Sequence, residues 1–205
     1  MKSARAAKRH PGRLFADLYE GDPVFDAHHY ASTGAPFVVL KASQGSGHTD
    51  SRHHLRSQLA HEVGLPVGHY HYLTESTPSA QAALLWDVAK RAWAPRDFLI
   101  VDIERGAGLT DPHDQLTRFD QHLHEITGRT CIGYSEDSYL EEHLLEVKSR
   151  KWWVADYGAS PNKHLPFGQE LWAHQFTGTG RINGTEGETD LSVLVAPSAI
   201  RWWDR

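Results

Sequence analysis

Asp102 and Glu104 are the residues of this chain best placed for acid–base chemistry. They close the run Phe98-Leu-Ile-Val-Asp-Ile-Glu104, which Pro95-Arg-Asp97 precedes and a glycine-rich turn, Arg105-Gly-Ala-Gly108, follows. Phe98 to Val101 are apolar without alternation, the pattern of a strand covered on both faces. Side chains alternate along a strand, so Asp102 and Glu104 share a face, their Cα atoms roughly 7 Å apart. Crowded carboxyls push each other's pKa apart, leaving one protonated near neutrality beside an ionised neighbour. That pair is what cleavage of a glycosidic bond requires. The plain alternative is a strand end fraying into a polar loop, and two acids in phase on one buried strand weigh against it.

The elements that must hold this pair follow from periodicity. Leu14-Phe-Ala-Asp17 is a short first strand, and Asp22-Pro-Val-Phe-Asp26 can start a short helix. Ala35–Ala42 is a second strand, followed by the loop Ser43-Gln-Gly-Ser-Gly47. Leu55, Leu59 and Val63 form a helical stripe that Gly64 terminates. Pro66–Tyr72 is the third strand, and Thr77-Pro78 opens a helix running to about Trp93. After the Asp102/Glu104 strand, Asp111-Pro112 caps a helix bearing Leu116, Phe119, Leu123 and Ile126, with Gly128 after it. Strand Thr130–Tyr134 and a helix carrying Leu140, Leu144 and Val147 follow. Three strands, Trp152–Asp156, Glu170–Phe176 and Thr189–Val193, close the chain without helices between them.

Alternating strands and helices imply parallel strands with right-handed crossovers, and eight strands close a barrel. The expected fold is therefore α/β, an irregular TIM-like (β/α) barrel. Acids fall at the strand ends at Asp17, Asp102, Glu104, Asp156 and Asp190, and in a barrel these ends meet at one face. A buried strand tolerates a carboxylate poorly unless it is paired or functional.

Composition narrows the classes. The 205 residues, 40% hydrophobic and 10% aromatic, fit one barrel domain over 14–205. A net charge of −5 argues against general nucleic-acid binding. Residues 1–13 run the other way, with Lys2, Arg5, Lys8, Arg9 and Arg13 and no acid, and read as a disordered basic tail. No apolar segment follows those charges, so neither a signal peptide nor membrane insertion is expected. Cys131 is the single cysteine and reads as a small buried apolar residue.

The 15 histidines include His69 and His71 in phase on one strand, which beside carboxylates could hold Zn²⁺. No His-Glu-x-x-His pattern supports that. His69 and His71 are read as hydrogen-bonded wall residues or hosts for sugar hydroxyls, and His53-His54, flanked by Arg52 and Arg56, as a solvated helix face. No metal and no cofactor are expected, and no glycine-rich phosphate loop is present. Trp86 and Trp93 read as core. Of Trp152, Trp153 and Trp172, half could face a cleft and stack on sugars, while Trp202-Trp203 are expected to dock on the barrel.

Eight blocks in order carry a resemblance: Asp17, Lys41-Ala-Ser-Gln-Gly45, Pro66-Val-Gly-His-Tyr-His-Tyr72, Val101-Asp-Ile-Glu104, Gly133-Tyr-Ser135, Trp153-Val-Ala-Asp-Tyr157, Trp172-Ala-His-Gln-Phe176 and Asp190-Leu191. Together they resemble glycoside hydrolase family 25, the Chalaropsis-type lysozymes or N-acetylmuramidases. The resemblance implies a barrel of five helices and eight strands. It implies hydrolysis of the β-1,4 bond between N-acetylmuramic acid and N-acetylglucosamine in peptidoglycan. Glu104 would be the general acid, Asp102 would stabilise charge on the sugar or its acetamido group, and Asp17 and Asp190 would position the sugar and tune Glu104. Tyr70, Tyr134, Asp156, Gln175, Trp153 and Lys41 would bind substrate. The chain departs from the family pattern at Gln44, where Glu is frequent, at His174, where an aromatic is frequent, and at Leu18-Tyr-Glu20, which lacks the usual small hydroxyl residue. A monomer acting on the bacterial cell wall is expected, delivered as a phage lysin, by another non-Sec route, or within a longer secreted chain. A non-catalytic wall-binding barrel and a chitinase-like glycosidase are the competing readings.

Overall fold

The structure, a computed structural model, describes residues 13–147, 150–157, 165–166 and 168–195. The basic tail, apart from Arg13, and Trp202-Trp203 lie outside the described residues. Nine strands and five α-helices are present among them. In chain order these are β1 (Leu14–Leu18), α1 (Ala27–Ala31), β2 (Val38–Gln44), β3 (His48–Thr49), α2 (His53–Glu62), β4 (Val67–Tyr72), α3 (Pro78–Ala89), β5 (Phe98–Asp102), α4 (Pro112–Thr127), β6 (Cys131–Glu136), α5 (Asp137–His143), β7 (Lys151–Ala155), β8 (Glu170–Gly180) and β9 (Thr189–Leu194). Eight of the strands close a barrel in the order β1-β9-β8-β7-β6-β5-β4-β2, sealed by the β1–β2 pair, while β3 folds back on the end of β2.

The barrel is not all parallel as expected. β9 runs antiparallel to both β1 and β8. A short β8–β9 connection with no crossover helix forces that reversal, because only a helix-length return lets consecutive strands run parallel.

Two layers of core follow from the alternation. On β5 every residue is buried: Phe98 and Ile100 face the barrel interior, whereas Leu99 and Val101 join the layer beneath α3, α4 and α5. The interior is plugged by aromatics. Phe37 stacks on Trp172 at 5.6 Å, meets Phe15 at 4.7 Å and packs edge-on to Phe98 at 5.0 Å. Gly68 admits the Phe98 ring, since a Cβ there would lie 2.7 Å from it. The plug closes one end of the barrel and makes the other a shallow mouth.

Two helix faces correct the sequence reading. α2 buries His53, Arg56, Ser57 and Ala60, whereas Leu55 of the expected stripe is 59% exposed. His53 and Arg56 are therefore not on a solvated face. His69 and His71 point outward from β4 into the helix layer, not into a cleft. His69 Nδ1 shares a hydrogen bond of 2.8 Å with His53 Nε2, and its Nε2 lies 3.1 Å from Asp97 Oδ2. His71 sits between Ser43 Oγ (2.8 Å) and Gln81 Oε1 (3.2 Å). Burial holds the His71 imidazole at about 4, so it stays neutral where it packs on Phe119. Cys131 is free and buried, as expected. Trp152 joins the outer layer and Trp172 the plug, whereas Trp86 and Trp93 are only partly buried.

Candidate active site

Four carboxylates reach the open mouth by different routes. Asp17 is the fourth residue of β1 and points inward with Phe15. Asp190 is the second residue of β9, directly opposite Asp17 in the antiparallel register, which places the two Cβ atoms roughly 5 Å apart. It lies at the start of its strand rather than the end, and reaches the shared mouth only because β9 runs backwards. Asp102 ends β5 in phase with Phe98 and Ile100. Glu104 lies beyond the strand, but its backbone stays extended (φ −129°, ψ 160°) and the Ile103 N–H still donates to the Tyr134 carbonyl at 2.9 Å. The alternation thus carries through to Glu104, as its spacing predicted.

All four line one cavity of about 240 Å³. That is slightly less than a whole-ligand pocket (about 300 Å³ or more), and suits one unit of a longer substrate. Lys41, Tyr70, Tyr134 and Trp153 join the lining as expected; Tyr19, Tyr72 and Ile100 were not foreseen. Tyr72 was legible, two residues after Tyr70 on one strand face. Tyr19 lies past the end of β1, where periodicity gives no signal.

Gln175, from β8, is buried behind the wall instead of lining it. Its Oε1 accepts from the hydroxyls of Tyr134 (2.9 Å) and Tyr157 (3.0 Å), and its Nε2 donates to Asp17 Oδ2 (3.1 Å). Trp153 is fixed through Nε1, which donates to Ser192 Oγ at 2.9 Å. Asp156 is not brought to the cavity. Trp153 and Ala155 take the inward phase of β7, so the residue after Ala155 turns away, and its carbonyl receives His174 Nε2 at 2.7 Å.

The electrostatics follow from burial. Desolvation raises Asp17 well above the ordinary carboxylate range, and Asp190 adds to it, while the Gln175 hydrogen bond opposes both. Asp102 is raised well above its usual value by burial, then by Glu104, with Lys41 pulling down. Its Oδ1 is buried with no hydrogen-bond partner among the described residues. Glu104 is raised by burial and then by Glu136, with Tyr134 and Lys41 opposing. Glu136 is thus a charged neighbour that raises Glu104 beside the mutual repulsion of Asp102 and Glu104. Among the described residues no cluster of His, Cys, Asp and Glu is arranged to hold a metal ion, and no helix is long and apolar enough to cross a membrane.

The family model described as Glycosyl hydrolases family 25 matches residues 16–185. The chain belongs to this family. An autolytic lysozyme of Clostridium acetobutylicum is 25% identical over 177 residues, covering 85% of this chain and 53% of that protein, so the chain spans about half the length of that relative. The catalytic domain of endolysin ply40 from bacteriophage P40 of Listeria monocytogenes superposes with a TM-score of 0.80 at 25% identity, covering 93% of this chain and 96% of that one. The bacterial lysozyme from Streptomyces coelicolor superposes with a TM-score of 0.82 at 21% identity over the same shares.

Within the family 25 framework the three departures acquire structural meaning. Gln44 accepts from Lys41 Nζ at 2.7 Å, and the ammonium lies 5.2 Å from the Tyr72 ring centre. A neutral partner leaves the full Lys41 charge to act on Asp102 and Glu104. His174 is buried on the Asp156 carbonyl, away from the cavity. Tyr19 occupies the cavity rim.

Two expected results follow. Glu136→Gln removes the second cause of the raised Glu104 value, so Glu104 loses its proton at lower pH. If Glu104 is the acid of the reaction, the alkaline limb of the pH–rate profile should then move to lower pH; an unmoved limb refutes the coupling. Asp190 is raised by burial, and next by Asp22, to about 6. Its ordinary value is near 4, so its stabilising contribution is complete below that and is lost as pH rises through about 6. Asp190→Asn should therefore be more stable than the parent at neutral pH, by about 1–2 kcal/mol after allowing for solvent screening. Melting curves should converge near pH 4 and separate above pH 6; a constant gap would rule out charge as the cause.

Proposed function

We propose that this chain hydrolyses the β-1,4 bond from N-acetylmuramic acid to N-acetylglucosamine in peptidoglycan, acting at the bacterial cell wall. The observation that carries the reading is the convergence of Asp17, Asp102, Glu104 and Asp190 on one cavity. Membership of family 25 and a relative named as an autolytic lysozyme support it.

Glu104, whose carboxyl is raised by burial and Glu136, is the group that gives its proton to the leaving glycosidic oxygen. As the bond breaks, positive charge develops on the departing sugar ring. Asp102, buried beside it with an unpartnered oxygen, either faces that charge or accepts the N–H of the 2-acetamido group while the acetamido oxygen attacks the anomeric carbon. Asp17, held by Gln175, and Asp190 fix the sugar, and Asp190 adds to the rise of Glu104. Tyr70, Tyr134 and Trp153 shape the walls, and Lys41 opposes the rise that burial and Glu104 impose on Asp102.

Mass spectrometry of muropeptides after digestion tests the reaction. Fragments with muramic acid at the reducing end support it. Release of chitobiose from chitin with walls untouched would transfer the assignment to a chitinase-like enzyme, and sedimentation with walls without new reducing ends would leave only a binding barrel.

A further inference from the structure

Tyr19 is an aromatic at the cavity mouth that none of the carboxylate chemistry uses. It follows Asp17 by two residues, lines the same cavity and is 51% exposed. An exposed loop tyrosine ordinarily samples several positions; this one is held at its backbone and rests its ring over Gly21.

Its N–H donates to Asp22 Oδ2 at 2.7 Å, and its carbonyl accepts from Asp22 N–H (3.0 Å) and Arg56 Nη1 (2.7 Å). Arg56 comes from the buried face of α2, is only 4% exposed, and also donates to the Asp22 carbonyl. Arg52 reaches the Pro23 carbonyl at 2.9 Å, and the Glu20 N–H donates to Asp50 Oδ2 at 2.6 Å. Burying a guanidinium is costly unless its donors are used, and here they clamp the loop that carries Tyr19. The ring lies over Gly21, where an added Cβ would come within 2.3 Å of Tyr19 Cζ and 2.4 Å of its Oη. A glycine leaves room for the ring in this seat.

A rigid, half-exposed phenol beside a carboxylate-lined cavity offers a flat apolar face with a polar tip. A pyranose ring has the matching chemistry: a C–H face ringed by hydroxyls. We propose that Tyr19 is a stacking platform for an N-acetylhexosamine ring of the glycan strand, a binding subsite of this chain adjoining the four carboxylates. This rests on the glycan-hydrolase reading above and names one of its contacts.

The test combines initial rates on wall suspensions with calorimetric titration of a soluble tetrasaccharide of alternating N-acetylglucosamine and N-acetylmuramic acid into the Glu104→Gln form. Tyr19→Ala should raise KM and the tetrasaccharide Kd about five- to tenfold with kcat within about twofold, and Tyr19→Trp should restore both. Gly21→Ala displaces only the far end of a side chain and should reproduce the loss while the protein stays folded. Combined with Tyr19→Ala it should add nothing, because both changes remove one contact. Unchanged KM and Kd in Tyr19→Ala, in a protein whose parent cleaves walls, would overturn the platform alone. Fully additive losses would also overturn it, since they would assign the effect to the loop backbone. A parent that neither cleaves walls nor binds the tetrasaccharide would remove the platform together with the hydrolase reading.

Discussion

Glu104→Gln should lower wall hydrolysis by about 10²–10⁴-fold while melting at or above the parent temperature. The amide matches the carboxyl in size, so the cavity keeps its shape, but it has no proton to give a departing oxygen. The fold should not suffer, because the carboxyl is raised by burial and by Glu136 and contributes no net charge stabilisation. Release of reducing ends, followed alongside thermal unfolding, separates loss of chemistry from loss of structure. A Glu104→Gln form clearing walls at the parent rate would strip Glu104 of its role as acid. A parent that binds walls but never turns them over would instead favour the non-catalytic barrel.

The second large effect concerns folding. Gly184, in the β8–β9 connection, has φ +92°, and a Cβ there would sit 2.4 Å from Tyr30 N and 2.6 Å from the Asp26 carbonyl oxygen. Both are backbone atoms, so no rotamer change relieves the clash. The Gly184 carbonyl also accepts from the Asp26 N–H at 2.8 Å, and Asp26 caps α1 through the His29 N–H at 3.0 Å. Tyr30 in turn ties β1 to the residue just before β2: its hydroxyl accepts from Ala16 N–H (2.9 Å) and donates to the Phe37 carbonyl (3.1 Å). Gly184→Ala should therefore cost about 3 kcal/mol or more, lowering the melting temperature by roughly 6–12 °C. Gly187, with φ +83° but open space around it, is the control. Gly187→Ala should cost only the backbone strain, about 1 kcal/mol. Equal losses at both glycines would mean that backbone strain alone, and not the approach to α1, sets the cost at Gly184.

Where two local signals agreed, the sequence reading carried through. The unbroken apolar run of β5, with acids two apart at its end, gave strand, burial and shared face together. Gly64 and Gly128 ended their helices with positive φ where expected. What failed needed information from distant residues. Strand direction is invisible to alternation, so the sequence pattern alone implies a parallel β9 and makes Asp190 a strand-end acid, whereas β9 runs antiparallel. The buried side of α2 is polar because its partners, Asp22 and His69, come from other elements, while hydrophobic periodicity pointed to Leu55. Asp156 sits one residue out of phase with the inward side of β7. Tyr19 owes its position to Arg56, which lies on a helix and looks like any solvated arginine in the sequence.

The pairing of β1 with β9 also bears on biogenesis. Asp17 is among the first residues of the barrel to leave a ribosome, and its partner Asp190 is among the last. Until β9 inserts between β1 and β8, the nascent protein has two unpaired sheet margins and an incomplete set of acids. The four-carboxylate cavity on which the proposed hydrolysis depends would thus arise late and all at once, with closure of the final strand.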